Sequence, residues 1–310
     1  MATLNVTCAG DRAKDILDGG ARILSAQVHS VFQKAVNVSL LTDEGPCLLT
    51  LISSDAHPWA LTCPDLPESQ KISPLRPGMN FFPGRRGDIL PVFSPCGPEL
   101  DLSGAEIWTQ PSLSVAADQP TLARNNSKLL SALSGGHSDF SERSAMARIR
   151  GVIIECQKAA SSQPPFSLLS GLIGLGPGLT PLGDDFVSGY LATVSLAAST
   201  AKLREDVRFA AVRLAEGDTT FFSKRQITLA GQGVCLRSIF SLIRSIASPT
   251  FDESTLKRVL AIGATSGQGW ALGISAAISS IAPLYSGQKM GIITMHITKE
   301  MIWSGQPTFM

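Results

Sequence analysis

Charge is scarce in this chain. Of 310 residues only 16% are Asp, Glu, Lys or Arg, and 26 basic against 25 acidic side chains leave a formal net charge of +1. So even a balance excludes bulk electrostatic attraction to nucleic acid or to an anionic membrane. Histidine is rarer still: His29, His57, His137 and His296 are the only four, and no two share an H-x-x-x-H or H-x-H spacing. That argues against a sequence-local zinc site. The six cysteines (Cys8, Cys47, Cys63, Cys96, Cys156, Cys235) are scattered with no Cys-x-x-Cys pair. Residues 1–20 carry charges throughout and no apolar leader, so reduced thiols in the cytoplasm are expected. A G-x-S-x-G elbow is absent, and nothing local pairs a cysteine with a histidine. Long apolar runs are missing too. The stretch Ile262–Tyr285 is diluted by Gly263, Thr265, Ser266, Gly267, Gln268 and Gly269, which reads as a buried helix rather than a membrane span.

What the chain does have is apolar bulk. It is 44% hydrophobic, with a mean hydropathy of +0.18, which suggests helices buried on several sides or surface covered by partners. From Gln27 onward Val28, Ser30 and Phe32, then Val36, Val38 and Leu40, alternate at strand period. Asp43-Glu-Gly-Pro46 follows as a turn, and Cys47–Ile52 returns. Proline and glycine then recur through about residue 112, where strands are expected at 88–93 and 105–108. The expected fold is α+β: an N-terminal barrel- or sandwich-like β module (25–112), then a mainly α-helical domain (141–310). A lead-in (1–24) precedes the first and a connector (113–140) joins the two. Within the helical part, Ser141–Lys158 forms a helix with Met146, Ile149, Ile153 and Cys156 inward. Further helices are expected over 203–215, from about Asp218, over 236–243, 255–262 and 270–281, with a late strand over 291–297.

The chain is organised around Gly171–Gly189, where six glycines, two prolines and the acids Asp184 and Asp185 precede a helical pattern. Thr180-Pro181 reads as an N-cap with proline at the first helical position. Phe186, Val187, Tyr190, Leu191 and Val194 form one apolar stripe. Pro177-Gly178 interrupts a dinucleotide fingerprint, and no βαβ pattern surrounds it. Gly178 and Gly183 match the glycine pair of a P-loop, but Asp184-Asp185 stand where lysine and a hydroxyl belong, so a P-loop is excluded. The two acids admit a structural reading, as complements to the helix dipole, and a site reading. In the second, a carboxylate binds a metal or a urea-like NH2 group, or acts as general base. Adjacent helical residues diverge by roughly 100°, so at most one faces a given pocket. The loop glycines either bind an anion through N–H groups or let helices pack closely. Gly263–Gly269 resembles Gly176–Thr180 in form, so two helix N-termini could converge on one pocket. Arg85-Arg86 and Lys224-Arg225 read as solvated surface before anion partners. His29, in a strand, is the one histidine nominated.

The run Gly174-Leu-Gly-Pro-Gly-Leu-Thr-Pro-Leu-Gly-Asp-Asp-Phe-Val-Ser-Gly189 resembles the signature of the AllH-like family, which is linked to one subunit of oxamate carbamoyltransferase. Val28–Phe32, Ala35–Asn37, Asp218–Thr220 and Gly263–Gly267 add weaker matches. The family pattern often carries His where this chain has Ala264 and Asp near Gln268. The resemblance implies carbamoyl transfer in allantoin and purine catabolism: oxalurate and phosphate give oxamate and carbamoyl phosphate, with FdrA-like and AllG-like partner subunits. The resulting expectation has Asp184 and Asp185 as catalytic candidates, and Gly174, Gly176, Gly178, Thr180, Thr265, Ser266 and His29 as substrate- or anion-binding candidates. It involves no cofactor and no resident metal, and leaves homo-oligomerisation open. A non-catalytic scaffold or small-molecule-binding subunit is the alternative, and a free-standing metal hydrolase stands third.

Overall fold

A computed structural model describes residues 3–68, 74–82, 92–94, 97–113, 117–133, 140–158 and 164–282. The expected strand at 291–297, most of that at 88–93, Arg85-Arg86, His137 and His296 lie outside the described residues. The chain divides into two compact units, Met1–Pro111 and Ser112–Met310, the first built on a sheet and the second helical.

Among the described residues the first unit holds ten strands in one mixed sheet: β1 (Thr3–Asn5), β2 (Cys8–Gly10), β3 (Ile23–Val31), β4 (Ala35–Thr42), β5 (Gly45–Ile52), β6 (Ala60–Thr62), β7 (Asn80–Phe82), β8 (Val92–Ser94), β9 (Glu99–Asp101) and β10 (Glu106–Trp108). Their order is β1-β9-β8-β7-β3-β4-β5-β6-β2-β10. The central meander β3-β4-β5 follows the alternation read from the sequence. Val28, Val38, Leu49 and Leu51 are buried on it, while the turn between β4 and β5 is pinned by the Thr42–Gly45 pair. β1 and β2 are separated only by Val6-Thr7 yet stand near opposite ends of the order. The sheet therefore curls until its ends approach, although no ladder closes it among the described residues. The expected lead-in is thus part of the sheet: β1 pairs in parallel with β9 and β2 with β10, and a short helix, α1 (Asp11–Leu17), follows.

The second unit contains α2 (Gln119–Leu133), α3 (Phe140–Lys158), a 3-10 turn (Phe166–Leu172), α4 (Leu182–Ala197), α5 (Ala201–Ala215), α6 (Phe221–Gly231), α7 (Arg237–Ile246), α8 (Glu253–Leu260) and α9 (Ser266–Ile281). α2 occupies the stretch read as a connector. Leu122, Leu129 and Leu133 are buried on it, and Asn125 Nδ2 donates to the Ile246 and Ser248 carbonyls, at 2.9 and 2.8 Å. Its apolar residues are thinly spaced among polar ones, which hid the helical period.

α4 lies at the centre, packed against α9, α6, α5, α3 and the 3-10 turn. The single apolar stripe expected of it is too narrow a description: all but one of its 16 residues are buried. A helix surrounded on every side needs small residues where backbones cross, and α4 and α9 supply them reciprocally. A Cβ on Gly189 would lie 2.3 Å from the Trp270 carbonyl oxygen, and one on Gly273 would lie 2.0 Å from that of Phe186. Several buried hydroxyls of these two helices are bonded. Tyr190 Oη and Ser280 Oγ lie 2.8 Å apart, and Thr193 Oγ1 donates to the Gly189 carbonyl at 2.8 Å, as most interior polar groups do, while Ser275 Oγ is buried with no partner.

Candidate functional site

The glycine-rich loop connects the 3-10 turn to α4 and is shaped by its backbone. Gly174 and Gly176 have φ of +71° and +112°, the left-handed region that side chains resist. Gly174 also abuts the Asp218 carbonyl, where a Cβ would come within 2.4 Å. The helix begins one residue later than the sequence suggested. Pro181, not Thr180, is the capping residue, and its carbonyl accepts from Asp184 N–H at 2.9 Å and Asp185 N–H at 3.1 Å. Thr180 does not cap, because its hydroxyl is engaged 3.1 Å away with Ser266 Oγ at the start of α9. That bond ties together the two helix N-termini whose sequences resemble each other.

A third helix start joins them. Thr220 caps α6 by accepting from Ser223 N–H at 3.1 Å, and its hydroxyl donates to the Leu179 carbonyl at 2.6 Å. Asp218–Thr220, read in the sequence as a helix start and a weaker family match, is therefore the wall of the glycine loop. The N-termini of α4, α6 and α9 meet around Thr180, and their dipoles place positive potential there.

The two acids sit beneath this junction, both fully buried, in different surroundings. Asp184 is satisfied at both oxygens: Oδ1 accepts from Gly174 N–H at 2.7 Å, and Oδ2 accepts from the Thr219 hydroxyl. It fastens the loop and the α5–α6 connection to the first turn of α4. Asp185 is satisfied at one oxygen only. Oδ1 accepts from Gln226 Nε2 at 2.8 Å, while Oδ2 is buried with no hydrogen-bond partner. Burial pushes the Asp185 carboxyl up to about 7. The Gln226 amide and weaker interactions with the Ser266 and Thr180 hydroxyls pull it down, and the neighbouring Asp184 pushes it further up. A carboxyl poised near neutrality can both take and give a proton.

The remaining candidates fall into place unevenly. Gly174 has its N–H engaged by Asp184 and is a structural member of the cluster. Gly176 and Gly178 form the partly exposed turn above it, with Thr180, Thr265 and Ser266 half-buried at the rim. Gly269 is an approach point: a Cβ there would lie 2.7 Å from that of Asp185. His29 is on β3 of the N-terminal unit, at the bulge between Val28 and Ser30, exposed. Lys224 and Arg225 are half-buried on α6. Sequence reasoning missed Gln226, Ser188 and Thr219. The first had a signal, since Ser223, Gln226, Ile227 and Ala230 recur at helical spacing and mark α6's inward stripe.

Among the described residues no group of three or more His, Cys, Asp and Glu side chains could hold a metal ion, and no helix is long and apolar enough to cross a membrane. Burial pushes the Cys63 thiol up to about 12 and that of Cys156 up to about 11, so neither is a nucleophile at neutral pH. A groove of about 660 Å³ runs between the 3-10 turn and α5, lined by Phe166, Ser170, Lys202, Phe209 and Arg213 among others, and shares no lining residue with the acid cluster. Its Lys202 is paired with Asp206 at 3.3 Å on the surface.

Residues 172–278 match the family model described as oxamate carbamoyltransferase subunit AllH. The match begins at the end of the 3-10 turn and takes in the glycine loop, α4 to α8 and most of α9, so it holds every residue of the cluster. The AllH-like resemblance is borne out over that segment, including Asp218–Thr220 and Gly263–Gly267. Val28–Phe32 and Ala35–Asn37 lie outside it. No curated protein and no solved structure matches the chain.

Proposed function

We propose that the chain is a subunit of an oxamate carbamoyltransferase-like enzyme, acting with FdrA-like and AllG-like subunits in allantoin and purine catabolism. The observation that carries this reading is a fully buried carboxyl with one unsatisfied oxygen at the meeting point of three helix N-termini. The family match over the same residues supports it.

The reaction needs two things of a site. Oxalurate and phosphate react when a phosphate oxygen attacks the carbamoyl carbon. The bond from that carbon to the oxamate nitrogen breaks, and the proton lost by phosphate ends on that nitrogen. Converging helix N-termini suit the anionic charge of phosphate and of the oxalurate carboxylate. Asp185, held near neutrality, suits the proton transfer and accepts an N–H of the carbamoyl group at Oδ2. Thr180 and Ser266, half-buried and acting on the same carboxyl, contact the substrate. Asp184 holds the loop and does no chemistry.

The test is turnover by the complex assembled with its partner subunits. Asp185→Asn is expected to lower kcat by roughly 100-fold or more, the range of a lost acid–base group, while the chain stays folded by circular dichroism. Undiminished turnover with this variant would make the acid a structural cap and leave a non-catalytic binding subunit as the better description.

A further inference from the structure

Gln226 has no assigned role, and its geometry is constrained from both sides. Its Nε2 donates to Asp185 Oδ1 at 2.8 Å and to Ser188 Oγ at 3.1 Å. A primary amide nitrogen carries two hydrogens, so both are used, and the amide cannot turn over without setting its oxygen against the carboxylate. The two acceptors are three residues apart on α4 and therefore share one face. Gln226 reaches them from α6. Ser188 is itself fully buried, so the second bond is sheltered and fixes the first.

We propose that Gln226 is the positioning residue of this site: by clamping Asp185 Oδ1 and Ser188 Oγ together, it leaves Oδ2 as the one carboxylate oxygen open to a donor. The substrate class follows from what remains. A single buried acceptor beside the Thr180 and Ser266 hydroxyls recognises a planar N–H donor, an amide or carbamoyl NH2, and rejects a carboxylate in the same place. The choice of glutamine matters as well. The charged group acting on Asp185 is Asp184 on the same helix. α6 contributes a neutral amide, while α9 and the loop contribute the neutral hydroxyls of Ser266 and Thr180. A cation in place of Gln226 would hold the carboxyl permanently ionised, and an anion would repel it. This inference rests on the carbamoyl-transfer reading for its substrate, but not for the clamp itself.

Two measurements separate the parts. In the full-length chain alone, a carboxyl-carbon NMR titration of Asp185 is expected to move its midpoint up by about half a pH unit or more in Gln226→Met, because the lost bond favours the ionised form. Gln226→Leu is a second apolar variant should the first fold poorly. In the assembled complex, the same variants are expected to lower kcat roughly 10- to 100-fold with KM changed far less, and to shift the kcat–pH profile in the same direction as the titration. An unmoved midpoint overturns the clamp whether or not the wild-type complex transfers carbamoyl groups. A moved midpoint with an inactive wild-type complex supports the clamp and sinks the carbamoyl-transfer reading alone. A moved midpoint with unchanged kcat and profile in an active complex overturns Gln226 as a positioning residue.

Discussion

Asp184 and Asp185 are neighbours in sequence, equally buried, and bonded so differently that substituting each with asparagine should have opposite consequences. Asp184 accepts from one N–H and one hydroxyl. An asparagine offers one acceptor and turns an NH2 group toward a donor. Asp184→Asn is therefore expected to cost about 1–3 kcal/mol, the penalty for breaking a buried bond to a charged group, read as a lower urea midpoint at unchanged slope. Asp185 behaves in reverse. Its carboxyl is pushed up to about 7 from an ordinary 3.8, so between those values the folded chain binds a proton that the unfolded chain does not. The native state is favoured by this group at low pH and loses that advantage as pH rises through about 7. A neutral asparagine removes the loss. The melting temperature of Asp185→Asn relative to wild type should thus climb between pH 5 and pH 8. A difference that stays flat with pH would show that the acid ionises freely and is not the poised group described above.

At the scale of elements, the decisive contact is the crossing of α4 and α9. Gly273 and Gly189 let the two backbones approach to distances that no Cβ tolerates. Gly273→Ala would press a methyl group against the Phe186 carbonyl and force the helices apart. A destabilisation of about 1–3 kcal/mol or somewhat more is expected from such overpacking, together with reduced turnover, since α9 carries Ser266 and α4 carries Asp185. Chemical denaturation and assay of the same variant check both. The helices themselves were legible: Ser141–Lys158 and the segments from about 203 to 281 appear within a few residues of their expected bounds, because their apolar periods are strong. The caps were less so. Thr180-Pro181 has the composition of a cap and first-turn pair, and only the Ser266 hydroxyl, 86 residues away, shows why the register moves by one. β1 and β2 were illegible for the same reason. Strands of three residues each have no period of their own, and their partners β9 and β10 lie nearly a hundred residues downstream. Asp184 and Asp185 were readable as candidates, but the division of labour between them depends on Thr219 and Gln226, which meet them only in the fold.

For the whole molecule, the high apolar fraction is explained in large part from within. α4 and α9 are buried almost all round, so they consume apolar residues on faces that an ordinary surface helix gives to water. The cluster is drawn from α4, α6, α9 and the loop before α4, all in the unit Ser112–Met310. A ligand that binds there stabilises the folded state by mass action, by about 2.7 kcal/mol at a hundredfold excess over its Kd. Carbamoyl phosphate or oxamate should accordingly raise the melting temperature of the full chain by several degrees, since each kcal/mol is worth about 2–4 °C for a unit of this size. Hydrogen exchange should slow in peptides covering 174–185, 219–226 and 265–269, where the three helix N-termini meet. Asp185→Asn should lessen both effects for the carbamoyl-bearing ligand more than for inorganic phosphate, because in the proposed site phosphate uses the helix ends and the carbamoyl NH2 uses Oδ2. Equal losses for the two ligands would place the carbamoyl group elsewhere. Protection confined to the groove beside Phe209 would move the site away from the acids altogether.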